Sequence, residues 1–156
     1  MTPLPERIAI LLPLSIAVLI TFGTVIIHAL AMMPMIYFVH YELRLGRAGV
    51  LFRRDVAIVA GATLVALAAH LVAIATWAMV FSLCGEFSPL AEAVYHSGLN
   101  YSTLGDSAVI SPSWRLLAPL EGANGMLMFG VSTAMLFAIV QRLIQARLGE
   151  PSSYNK

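Results

Sequence analysis

The chain predicts an all-α membrane protein with three transmembrane helices and, between the second and third, a short re-entrant helix followed by a polar loop. Three observations carry this. Of the 156 residues 60% are hydrophobic and 11% charged, with a mean hydropathy of +0.87, far from the balance of ordinary soluble domains. Three apolar runs are each long enough for a helical crossing, which takes about 20 residues. Between the second and third lies Tyr95–Ser107, a long segment that mixes polar groups into hydrocarbon on either side. One membrane domain, 1–156, fills this length, and function must sit within its membrane part.

In chain order, residues 7–40 form an additional N-terminal helix, from Ile8-Ala9-Ile10-Leu11 to Tyr37-Phe38-Val39, with Pro13 near its start and Pro34 near its end. It exceeds one crossing, so it should tilt, kink at a proline or extend into the interface. Residues 41–55 read as a loop holding Arg44, Arg47, Arg53 and Arg54, four of the nine basic residues. Such a density of arginine marks the cytoplasmic side. Residues 56–84 return the chain outward as the outer helix, rich in Ala and Leu, with His70 inside it.

The short helix is placed at 88–102. Ser88 is the expected N-cap, Pro89 the first helical residue, and Glu92 lies near the positive end of the dipole. A helix of this length cannot cross a bilayer and suits a re-entrant segment. The last helix is placed at 114–146 and a polar tail at 147–156. Arg142, Arg147 and Lys156 then fall on the same side as the arginine loop, leaving only Arg7 and Arg115 outside. The expected topology is N-terminus outside and C-terminus cytoplasmic, in a bacterial inner (plasma) membrane. Glu6, Glu86, Glu92, Asp106 and Glu121 collect on the outer side, where they would concentrate cations.

The composition excludes several classes. No basic patch with interleaved aromatics suggests nucleic acid. Cys84 is the single cysteine and cannot form an intrachain disulfide. The run after Arg7 is too long for the core of a cleavable signal peptide. His28, His40 and His70 raise the possibility of haem between helices, but none forms a close i, i+4 pair and no Cys or carboxylate completes a metal set. Hydrogen bonding within a bundle is the better account of them. No catalysis and no cofactor are expected beyond permeant potassium or sodium ions.

Non-helical backbone at membrane depth needs cover from protein or water, and a channel mouth supplies it. Thr103, Leu104, Gly105, Asp106 and Ser107 are therefore the candidate ion filter. Gly105 opens backbone angles closed to other residues, so that carbonyls from several copies can replace an ion's hydration shell. Ser102 would support the filter with its hydroxyl. Glu121, an acid at costly depth, is expected to brace the filter from behind. Three spans cannot enclose a channel alone, so a homotetramer in membrane lipid is expected. His96 could make gating sensitive to pH; Asn124 is read as hydrogen-bonded in the core. Trp77, Trp114, Tyr37 and Tyr41 read as interfacial anchors, the methionines as packing residues, and the arginine cluster as orienting the chain or binding anionic lipid.

From about 56 to 145, the order outer helix, short helix, Thr103-Leu104-Gly105 and inner helix resembles the pore module of the tetrameric potassium-channel superfamily, especially small bacterial and two-pore-domain-like members. Thr103-Leu104-Gly105 matches the Thr-Val-Gly start of that family's Thr-Val-Gly-Tyr-Gly filter. Gly125 and the pair Phe129-Gly130 fall where the family's inner helix has its hinge glycine and a second glycine five residues later. The resemblance thus implies a cation channel with a gating hinge at Gly125 and Gly130. Packing glycines, Gly122 included, are the alternative.

Asp106-Ser107-Ala108 stands where the family has Tyr-Gly-Asp. Without gaps the segment is closer to the Thr-Val-Gly-Asp-Gly filter of non-selective sodium/potassium channels, which implies weak preference for potassium. With two residues deleted, Asp106 instead matches the family's Asp after the filter. A non-conducting membrane subunit of the same fold is the principal alternative to a channel, and a haem-binding redox protein a further one.

Overall fold

The computed structural model describes residues 6–149, with side chains from residue 10 onward. It contains four helices: α1 (Glu6–Arg44), α2 (Phe52–Leu83), α3 (Leu90–Tyr101) and α4 (Leu117–Leu148). No strand occurs among the described residues. By length and composition, Ile10–Arg44, Phe52–Leu83 and Leu117–Leu148 can each cross a membrane. The chain is a membrane protein in that sense, with α3, at 12 residues, too short to cross.

Helix boundaries differ from the sequence reading where charge was taken for loop. α1 runs four residues past 40 and continues through Pro13 and Pro34, while α2 starts at Phe52, so the expected loop 41–55 shrinks to 45–51. Glu and Arg are good helix formers, and the stops are local. Gly46 takes φ +61, and Arg47 N–H returns to Glu42 O at 3.1 Å, a left-handed cap that closes the helix. α2 ends the same way, with Gly85 at φ +76 and Glu86 N–H on Phe81 O at 3.1 Å. α3 begins one residue after Pro89. Pro89 is itself extended and takes the N-cap position that the sequence reading gave to Ser88, with no side-chain cap bond at that position. α4 begins at Leu117 rather than 114 because Trp114–Leu116 form a turn, with Leu117 N–H on Trp114 O at 2.9 Å. The tail expected at 147–156 lies outside the described residues from 150 on.

The chain packs as two bodies. One comprises residues up to Ile27 together with His70–Phe129; the other comprises His28–Ala69 and the residues from Gly130. The first body holds α3. Its core is Ala17, Ala73, Trp77, Ala78, Phe81, Ala93, Tyr101, Leu117 and Met128. Trp77 is fully buried there, not at an interface as the sequence suggested.

The second body has a smaller core of Val39, Ala48, Ile58, Ala62, Ile139 and Leu143. Two ion pairs close its end. Arg54 binds Glu42, and Arg147 binds Asp55 at 2.6 Å while the other Asp55 oxygen accepts from Gly49 N–H at 2.9 Å.

Polarity is distributed opposite to that of a soluble protein. Leu19, Phe22, Leu30 and Leu64 are each more than 60% exposed, while Thr24, Ser97, Glu121 and Asn124 are essentially inaccessible. Hydrocarbon outside and hydrogen-bonding groups inside is the arrangement that lipid selects.

Candidate functional site

The site is built around the C-terminus of α3. Thr103 N–H bonds Asn100 O, and Leu104 N–H bonds Leu99 O, both at 2.9 Å, with Gly105 N–H also on Leu99 O at 3.1 Å. This is the same left-handed cap that ends α1 and α2. Here, though, the left-handed position is held by Thr103, at φ +65, where the other two have glycine. A β-branched residue there costs roughly 1–2 kcal/mol, so Thr103 is strained at the start of the candidate filter. Gly105 follows at φ +74. Thr103, Leu104 and Gly105 are all exposed, Leu104 by 77%.

Ser102 lies beside them, but its hydroxyl donates to Gly98 O at 2.7 Å and lies 3.1 Å from Leu99 O. Its support goes to the last turn of α3, not to the loop.

Asp106 turns back onto α3. One carboxylate oxygen accepts from His96 Nδ1 at 2.7 Å, and the other from Ala108 N–H at 3.2 Å. On the far side of the imidazole, Asn100 Nδ2 donates to His96 Nε2 at 2.8 Å. Since that amide nitrogen only donates, Nε2 accepts and Nδ1 carries the hydrogen. The ring is buried between Phe87, with centroids 4.4 Å apart, and Phe81, perpendicular to it at 4.8 Å. The His96 hydrogen bond, helped by the Ala108 and Ser107 amides, holds the Asp106 carboxyl below its ordinary range. The carboxylate is thus ionised and engaged with protein rather than pointing free.

The loop is tied a second time. Glu86, just past α2, accepts from Ser111 N–H at 2.9 Å and from Ser111 Oγ at 2.5 Å.

A polar seam holds the other face of α3. Ser97 Oγ lies 2.8 Å from Ile74 O on α2 and also bonds Glu121 on α4, so one hydroxyl joins three helices. Glu121 therefore braces α3 rather than the filter segment itself. Three residues on, Asn124 Oδ1 accepts from Thr24 on α1 at 3.1 Å, in line with a core role. Tyr101 OH lies 3.1 Å from His70 Nδ1, which gives that histidine a hydrogen-bonding role. Among the described residues no group of three or more His, Cys, Asp or Glu could hold a metal.

The glycines of α4 separate by geometry. A Cβ at Gly125 would lie 1.9 Å from Tyr101 O, and one at Gly122 would lie 3.2 Å from Asn100 O; at Gly130 nothing lies within 4 Å. Gly122 and Gly125 form the slot that receives the end of α3. Gly125 thus has a packing task whether or not it also bends.

The structure brings Ser102 through Asp106 to one turn and sets Gly125 against that turn's base. Glu121 reaches it only through Ser97, and Gly130 belongs to the other body. Sequence reasoning missed the Asp106–His96–Asn100 chain and the Glu86–Ser111 tie. The spacing of His96 and Asn100, one helical turn apart, was the available signal for the first; nothing local pointed to the second. Compared with known proteins, the chain matches no family model, no curated protein and no solved structure.

Proposed function

We propose that the chain conducts monovalent cations passively across a membrane as a homotetramer, with residues 103–107 of each copy lining the outer constriction. The observation that carries this reading is a 12-residue helix between two spanning helices, ending in an exposed polar turn. The C-terminus of such a helix presents the negative end of its dipole, the end a dehydrated cation meets favourably. The backbone bonds between turn and helix run from N–H groups of Thr103, Leu104 and Gly105 to helix carbonyls. That uses up donors, which repel cations, and leaves oxygen as the chemistry the turn can offer.

In this reading the Ser97–Glu121 bond and the Gly122–Gly125 slot fix α3 in depth and rotation. The Asp106–His96 pair and the Glu86–Ser111 tie fix the two ends of the loop. Asp106 acts through its charge at the mouth, not as a direct ligand, since its oxygens are held by His96 and Ala108. Potassium and sodium are both substrates, with weak preference between them.

The same engagement supports a second reading, in which the turn is a closed cap and the chain is a non-conducting subunit. Flux separates the two. Purified protein in liposomes should pass potassium and sodium down their gradients, and light scattering should give four copies per particle. Silence from folded, inserted protein favours the second reading.

A further inference from the structure

The groove between the second half of α1 and the second half of α4 has the make-up of a lipid site. Its volume is about 540 Å³. Buried Val39 and Ile139 form its floor, and Ala134 and Ala138 leave width along the α4 wall. At one end it is lined by His40 and Arg142. Arg44 stands one turn beyond and donates from Nε to His40 Nε2 at 3.1 Å. We propose that this groove binds an anionic glycerophospholipid, with an acyl chain along Val39 and Ile139 and the phosphate against Arg142 and Arg44.

Charge selects that occupant. The described part of this body carries six arginines, Arg44, Arg47, Arg53, Arg54, Arg142 and Arg147, against two carboxylates, Glu42 and Asp55. Both carboxylates are engaged, Glu42 with Arg54 and Asp55 with Arg147. The excess positive charge favours a phosphate, and guanidinium is suited to phosphate by its paired donors. A second copy of the chain is the poorer occupant, because it would bring the same arginines to the same end. A second groove of this body, about 420 Å³ between α2 and α4, contains the Asp55–Arg147 pair. Its charge is internally matched, so it should take lipid without headgroup preference. The proposal needs only that the helices lie in lipid, and it stands whether or not the loop conducts.

The test is lipid retention by the purified protein in detergent, read by native mass spectrometry and thermal melting. Phosphatidylglycerol and phosphatidylcholine of identical acyl chains are compared, with glycerol phosphate as a headgroup without chains. Phosphatidylglycerol should be retained and should raise the melting midpoint, and the other two should do neither. Arg142→Gln should weaken retention roughly fivefold, the worth of one arginine at an anionic surface, while Arg53→Gln should leave it unchanged. Ala138→Phe should block the groove with its charge intact; if that variant fails to fold, the arginine pair alone decides. Equal retention of phosphatidylcholine, or equal losses in Arg142→Gln and Arg53→Gln, would overturn the site. So would a copy-to-copy disulfide formed by Ala138→Cys on a Cys84→Ser background, because a second copy would then occupy the groove.

Discussion

The carboxylate of Asp106 lies 2.7 Å from Nδ1 of His96, and Asn100 holds the opposite nitrogen of the same ring. A side chain ten residues downstream is thereby fastened to the middle of the short helix. The bond joins a charged acceptor on the loop to a buried ring, so the loop's shape and its charge are set by one contact.

Replacing Asp106 with Asn tests that contact. Asn removes the charge and weakens the bond, and with water at the loop the expected loss is about 0.5–1 kcal/mol. Because His96 favours the ionised form, the folded carboxyl titrates below its ordinary value. The folded state binds fewer protons than the unfolded one, whose carboxyl titrates near 3.9. The contribution is therefore complete above roughly pH 5 and fades as pH falls through the folded value. Melting curves from pH 3 to 8 should show wild type approaching Asp106→Asn at the acid end; parallel curves throughout would remove Asp106 as the cause.

Gly125→Ala separates packing from hinge. A methyl group 1.9 Å from Tyr101 O forces α3 off α4, at on the order of 3 kcal/mol or more. Gly130→Ala meets nothing and should be neutral or gain up to about 1 kcal/mol from helix propensity. A Gly125→Ala protein that melts like wild type but gates differently would restore the hinge as its main task.

Much of the fold was legible and part of the site was not, for physical reasons. The three spans follow from hydropathy alone, and α3 from a length too short to cross. The stretch Phe52-Arg53-Arg54-Asp55 looked like loop because charge marks a membrane boundary, yet charge does not end a helix; the left-handed caps at Gly46 and Gly85 do. Glu121 was legible as an acid in need of a partner, but the filter expected to receive it is not the group it meets. Its partner Ser97 was not, since that depends on how α3 is rotated against α4. Gly125 could not be resolved in sequence, because a hinge and a close approach call for the same residue.

Glu121 variants test the seam. Ser97 has one hydroxyl hydrogen facing two acceptors, Ile74 O and Glu121. Gln can donate to Ser97 and leave that hydrogen for Ile74, so Glu121→Gln should stay within about 1 kcal/mol of wild type. Glu121→Ala leaves a void in a fully buried place and should cost about 2–3 kcal/mol. The order of the two midpoints is the check, and a reversed order would contradict the seam.

Thr103→Gly should stabilise the fold and damage the function. Glycine relieves the left-handed strain, gaining about 1 kcal/mol, but it removes the hydroxyl from the candidate filter. A higher midpoint with altered ion preference is the expected pair of results, and a higher midpoint with unchanged permeation would free Thr103 from any filter role.

The most direct test of the central claim is the current through the purified protein in a planar bilayer with potassium on one side and sodium on the other. Conduction by residues 103–107 gives cation currents whose reversal potential lies near zero, reflecting weak preference, and shifts in Asp106→Asn. Folded, inserted tetramer that passes no current at any voltage or pH would contradict it, as would currents carried by anions.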